Sequence, residues 1–101
     1  MSNQKWKLDF ESSSTKKEYQ LFFEKHPDQR LYKKKFEQDV TSNPYFHPKD
    51  RRISKLKGVE FRGLYRWSIS NTRVIYYPES PSQIVYVIET GTATKISYKR
   101  S

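Results

Sequence analysis

The sequence predicts an α+β fold in the order β-α-α-β-β-β, a small and mostly antiparallel four-stranded sheet with two helices packed on one face. Three observations predict it. "WKLDF" (Trp6–Phe10) alternates apolar and polar residues with the period of a half-buried strand. The stretch from Thr15 to Val40 places large apolar residues at helical spacing on either side of a proline break. From Leu64 onward the chain is a series of β-branched and aromatic runs separated by turn residues.

Each element has its own signal. After the first strand, "SSSTKKE" supplies several N-cap candidates, with Thr15 and Glu18 at capping-box spacing. Tyr19, Phe22 and Phe23 then form one apolar helix stripe. Pro27 in "HPD" disfavours helical geometry at His26 and ends that helix, so His26 reads as a structural residue at a helix boundary. A second helix is expected from about Asp28, with Tyr32, Phe36 and Val40 as its buried stripe and Lys33, Lys34 and Lys35 mostly on its wet side; "SNP" (Ser42–Pro44) ends it. Residues 44–63 show no sustained period and contain prolines, glycines and many basic residues, which predicts a long connection. Strands follow at Leu64–Ser70, Thr72–Tyr77 and Gln83–Thr90. The last of these is nearly all apolar and is expected to be the central strand, covered on both faces. No repeat or linker divides the 101 residues, which read as one domain (1–101).

Composition narrows the function classes. Only 34% of the residues are hydrophobic but 16% are aromatic, so a few large rings must do most of the packing. The absence of cysteine excludes disulfides and thiolate zinc sites and suits a reducing cytoplasm. No apolar segment approaches the length of a signal core or a membrane span, so no membrane partner is expected. The net charge of +9 is uneven: residues 1–50 hold ten Lys/Arg against eight Asp/Glu, and residues 51–101 hold ten against three. A field of that size attracts phosphates and makes binding salt-sensitive.

The placement of the arginines sharpens this. With Ser70–Asn71 as a two-residue turn, Ile69 opposes Thr72, Ser68 opposes Arg73 and Arg66 opposes Ile75. One face then carries Tyr65, Trp67, Ile69, Val74 and Tyr76, a core face. The other carries Arg66, Ser68, Arg73, Ile75 and Tyr77, a basic mixed surface. Charged strand positions can serve only to deter edge aggregation. Here they have company: Lys49, Arg51, Arg52, Lys55 and Lys57 in the upstream loop, and Lys95, Tyr98, Lys99 and Arg100 in the tail.

The order of elements, together with "NPY" and "HP" after the second helix, "KLKG" (Lys55–Gly58), "GLYRWSI", "TRVIYY" and an apolar strand ending at Gly91, resembles the RelE/ParE superfamily of bacterial toxin–antitoxin toxins from about Trp6 to Tyr98. The resemblance implies the RelE-like microbial ribonuclease fold. It further implies a type II toxin that acts as a ribosome-dependent messenger-RNA interferase in the A site. Attack of the ribose 2′-hydroxyl on the neighbouring phosphate needs no metal or other cofactor. A ParE-like gyrase poison with no chemistry is the alternative. The implied partners are a cognate antitoxin, messenger RNA and the ribosome with its ribosomal RNA, with operator DNA reached only through the antitoxin complex.

The resemblance also assigns residues. Arg73 matches the arginine that contacts the scissile phosphate, and Arg66 a basic position on the preceding strand, whose second basic position is Ser68 here. Tyr98 corresponds to a C-terminal tyrosine that stacks on a base or assists proton transfer, and Lys95 reaches toward the place where relatives carry His or Arg after the glycine; here Gly91 is followed by "TAT". Lys49, Arg51, Arg52, Lys55, Lys57, Ser68, Tyr77, Lys99 and Arg100 are expected to bind RNA or the ribosome. His47 serves as a base only if its loop folds over the sheet, and Glu60, Glu79 and Glu89 form no recognisable pair in the sequence.

Overall fold

The computed structural model describes residues 5–94. Its elements run β1 (Lys7–Phe10), α1 (Ser13–Lys25), a 3₁₀ turn (Pro27–Gln29), α2 (Leu31–Ser42), β2 (Ile53–Lys55), a second 3₁₀ turn (Val59–Phe61), β3 (Tyr65–Ile69), β4 (Thr72–Glu79) and β5 (Ile84–Thr92). The sheet has five strands in the order β1-β5-β4-β3-β2, parallel between β1 and β5 and antiparallel elsewhere. The expected four-stranded sheet is therefore corrected by one. The added strand, "ISK", is too short to show a period and is set by its partner, Ile53 lying opposite Trp67.

The helices form for the expected reasons with shifted ends. Ser12, not Thr15, caps α1: its Oγ accepts the Thr15 N–H at 3.1 Å, and Thr15 is buried inside the helix. His26 closes α1 by bonding through Nδ1 to the Phe22 carbonyl at 2.8 Å while its ring stacks on Phe22, the structural role expected of it. Pro27 then makes a 3₁₀ turn, so α2 begins three residues later than the apolar stripe suggested.

Both helices cover one sheet face. Tyr19, Phe22 and Phe23 from α1 and Phe36 and Val40 from α2 pack on Trp67, Val74, Tyr76, Val85 and Val87. Phe36 meets Trp67 and Tyr76 edge-on, at 5.4 and 5.9 Å between centroids. Rings supply the volume that aliphatic residues do not, and their hydroxyls find acceptors: Tyr76 donates to the Pro44 carbonyl and Tyr19 to Glu37 Oε2.

Two expectations about the sheet change. β4 holds the middle place, not the last strand, because β2 extends the sheet on the far side. The helix-free face is also not fully open. Leu56 and Ile75 are buried there in a second, smaller cluster with Phe61, Leu64 and Ile88 around them. The segment after β2 folds back over the middle of the face, closing with a bond from the Leu56 N–H to the Leu64 carbonyl.

Candidate nucleic-acid interface

The register between β3 and β4 is the one the two-residue turn predicts: Arg66 opposes Ile75, Trp67 opposes Val74 and Ser68 opposes Arg73. Trp67 and Val74 point to the helices, so Arg66, Ser68 and Arg73 share the opposite face. Arg66 and Arg73 are diagonal neighbours, which places their Cα atoms about 7–8 Å apart. Side chains of that length can reach a common point above the sheet.

Arg73 is held in place at one nitrogen. Its Nη1 donates to the Ser70 carbonyl at 2.8 Å and the Thr72 carbonyl at 3.1 Å, both in or beside the β3–β4 turn. That leaves the Nε and Nη2 edge of a planar fork directed away from the anchor, the edge that matches two oxygens of a phosphate. Opposite Arg73 on β5 stands Gly91, which adds no side chain to the space beside the guanidinium.

β5 also brings a carboxylate to this face. Glu89 opposes Ile75, so Arg66, Ile75 and Glu89 form one row across β3, β4 and β5, with Glu89 diagonal to Arg73. The sequence had left Glu89 unassigned. Only the pairing register could have found it, because the ladder is interrupted between Ile75 and Tyr76, where β5 inserts Ile88.

The basic residues of the loop divide. Lys49 and Arg51 are exposed. Arg52 is committed elsewhere: Nη1 meets Asp39 Oδ2 at 3.1 Å and Nη2 meets Asp50 Oδ2 at 2.6 Å. Hydrogen bonds from Arg52 hold the Asp50 carboxyl below the usual carboxylate range, and the same bond raises the Arg52 guanidinium further. Asp39 Oδ2 also accepts Trp67 Nε1 at 2.8 Å, and His47 Nε2 lies 3.7 Å from its other oxygen. The Lys49 N–H donates to His47 Nδ1, which puts the imidazole proton on Nε2, toward Asp39. His47 and Arg52 therefore tether the loop on the Trp67 side of the sheet, away from Arg66 and Arg73.

Lys55 and Lys57 line a shallow groove of about 540 Å³ with Leu56, Gly58, Val59 and Arg62, the last a cation that sequence reasoning passed over. Tyr77 is partly exposed at the far end of the face and packs over Gly63. Lys95, Tyr98, Lys99 and Arg100 lie outside the described residues. Among the described residues, no group of three or more His, Cys, Asp or Glu side chains is placed to hold a metal ion, and no helix is long and apolar enough to cross a membrane.

The fold and face together define an α+β protein with two helices behind a twisted sheet and an arginine pair in front. The E. coli toxin RelE has a similar fold. Its double arginine-to-alanine mutant in the free state matches with a TM-score of 0.61 and 20% identity, over 90% of this chain and 86% of that one. The chain has a RelE-like fold. No family model and no curated protein matches the sequence.

Proposed function

We propose that this protein is a toxin of a toxin–antitoxin pair that cuts messenger RNA in the ribosomal A site. The observation that carries the reading is the placement of Arg66, Arg73 and Glu89 on one sheet face by the β3–β4–β5 register. Arg73 grips the scissile phosphate through its free edge, and Arg66 supports the charge that builds on the phosphoryl oxygens. Glu89 takes the proton of the ribose 2′-hydroxyl as its oxygen bonds to phosphorus. The bond from phosphorus to the 5′-oxygen breaks, and that oxygen takes a proton from Tyr98 or Lys95. The products are a 2′,3′-cyclic phosphate and a free 5′-hydroxyl.

Lys49, Arg51, Lys55, Lys57 and Arg62 hold ribosomal or messenger phosphates, with Lys99 and Arg100 of the tail, while Ser68 and Tyr77 contact the messenger, Tyr77 by stacking on a base. The cell tolerates such an enzyme because a cognate antitoxin shuts it off, and operator DNA is met only through that complex.

Toe-printing of a translated message after brief induction tests the reading. New 5′ ends at A-site codons are expected, with little cutting of naked RNA. Arg73→Ala lowers the rate by about 10²–10³ and Glu89→Gln by about 10²–10⁴, both with unchanged circular dichroism. Full-rate cleavage by Arg73→Ala, or intact messenger together with gyrase-linked DNA breaks, overturns it.

A further inference from the structure

The loop from Pro44 to Arg52 is held at both ends and in its middle. The Pro44 carbonyl accepts the Tyr76 hydroxyl at 2.6 Å, and the Tyr45 ring meets Trp6 and Tyr65 edge-on, at 5.6 and 5.4 Å between centroids. His47 lies against Asp39, and Arg52 bonds both Asp39 and Asp50. Between these anchors Phe46, Lys49 and Arg51 are exposed.

Phe46 is 59% exposed, and Tyr45 beside it 42%. Asp39 and Asp50 are both engaged by Arg52, and no carboxylate among the described residues pairs with Lys49 or Arg51. A bare ring near two unpaired cations, on a backbone already held, has the make-up of a stacking platform: a base lies on the ring and its phosphates meet the cations. A protein partner fits less well, because the centres of protein interfaces are poor in lysine and in charge generally.

We propose that this loop is a second RNA contact, on the Trp67 side of the sheet, in which Phe46 stacks on an unpaired base while Lys49 and Arg51 bind the phosphates next to it. Lys49 and Arg51 so gain a base-contacting partner, and the choice of RNA over DNA rests on the function proposed above. Stacking tolerates any base, so the contact selects a single strand rather than a sequence.

The probe is a fluorescein-labelled octauridylate, titrated by anisotropy against the full chain carrying Arg73→Ala, so that no cutting competes with binding. Phe46→Ala in that chain weakens binding by about fivefold or more, the ordinary effect of losing one base–aromatic stack, while Phe46→Tyr keeps it within about twofold. Leu31→Ala, at an apolar side chain 81% exposed at the start of α2, changes it by less than about twofold. Lys49→Ala with Arg51→Ala lowers the slope of log affinity against log salt by about 1.4, two phosphates at about 0.7 each. Unchanged affinity in Phe46→Ala overturns the proposal, as does an equal loss in Leu31→Ala. Tighter binding of octadeoxyuridylate also overturns it and assigns the loop to DNA. Messenger cutting is read separately by toe-printing. Phe46→Ala with normal RNA affinity and normal cutting removes the loop contact and leaves the nuclease, whereas Phe46-dependent binding without cutting removes the nuclease alone.

Discussion

Replacing Gly63 with alanine tests how the flap after β2 is held on the sheet. Gly63 sits at φ +85°, and a Cβ added there falls 2.9 Å from Tyr77 Cε1 and 3.3 Å from Cδ1. The left-handed backbone costs an L-residue roughly 1–2 kcal/mol. Crowding a packed contact costs about 1–3 kcal/mol more, and the lower end applies because Tyr77 is 40% exposed and has room to swing outward. Gly63→Ala is therefore expected to lose about 2–3 kcal/mol. Urea unfolding followed by Trp67 fluorescence measures it as a lower midpoint at unchanged slope. Tyr77→Ala in the same chain removes the clash and keeps the backbone cost, so the double variant is expected to be about 1 kcal/mol or more better than the sum of the singles. Additivity, or a Gly63→Ala loss under about 0.5 kcal/mol, refutes the claim that Tyr77 and the flap close on each other through this glycine.

Two further outcomes follow from buried polar groups. Burial, with the Glu37 carboxylate beside it, pushes the Tyr19 hydroxyl well above the usual phenol range, and burial with Tyr65 and Asp39 nearby does the same for Tyr76. The folded chain keeps protons that the unfolded chain releases near pH 10, so stability is full below that pH and falls above it. The expected slope is about 1.4 kcal/mol per pH unit for each tyrosine, about 2.7 for the two, with Tyr19→Phe halving it; a flat urea midpoint from pH 9 to 11 contradicts this. Asp39→Ala leaves Trp67 Nε1 buried without its acceptor and is expected to cost about 2–4 kcal/mol, whereas Asp39→Asn keeps an acceptor and costs roughly half as much. Equal stability of the two variants would show that the Trp67 bond contributes nothing.

Where a local rule decides the geometry, the fold was legible in the sequence. The turn at Ser70–Asn71 fixes the β3–β4 register, and the period of two then assigns Arg66, Ser68 and Arg73 to one face without any knowledge of the rest. Aromatic stripes located both helices for the same reason. What was not legible depends on contacts distant in sequence. Ile53 becomes a strand residue because Trp67 is there to receive it, and Arg52 becomes a tether because Asp39 comes from another element. Neither Trp67 nor Asp39 lies within a few residues of "RRISK", where the one local partner for Arg52 is Asp50.

The bulge on β5 explains why Glu89 and Thr90 escaped notice together. Val85 and Val87 face the helices, so strict alternation sends Ile88 outward, Glu89 inward toward the core and Thr90 outward again. Glu89 in that core would be a charge without water, and a reader of the sequence has reason to look elsewhere for an acid. Insertion of Ile88 reverses the phase. Ile88 joins Ile75 and Leu56 under the flap, Glu89 comes out beside the arginines, and Thr90 turns inward opposite Val74. One extra residue thus supplies apolar cover for the middle of the helix-free side and delivers a carboxylate there.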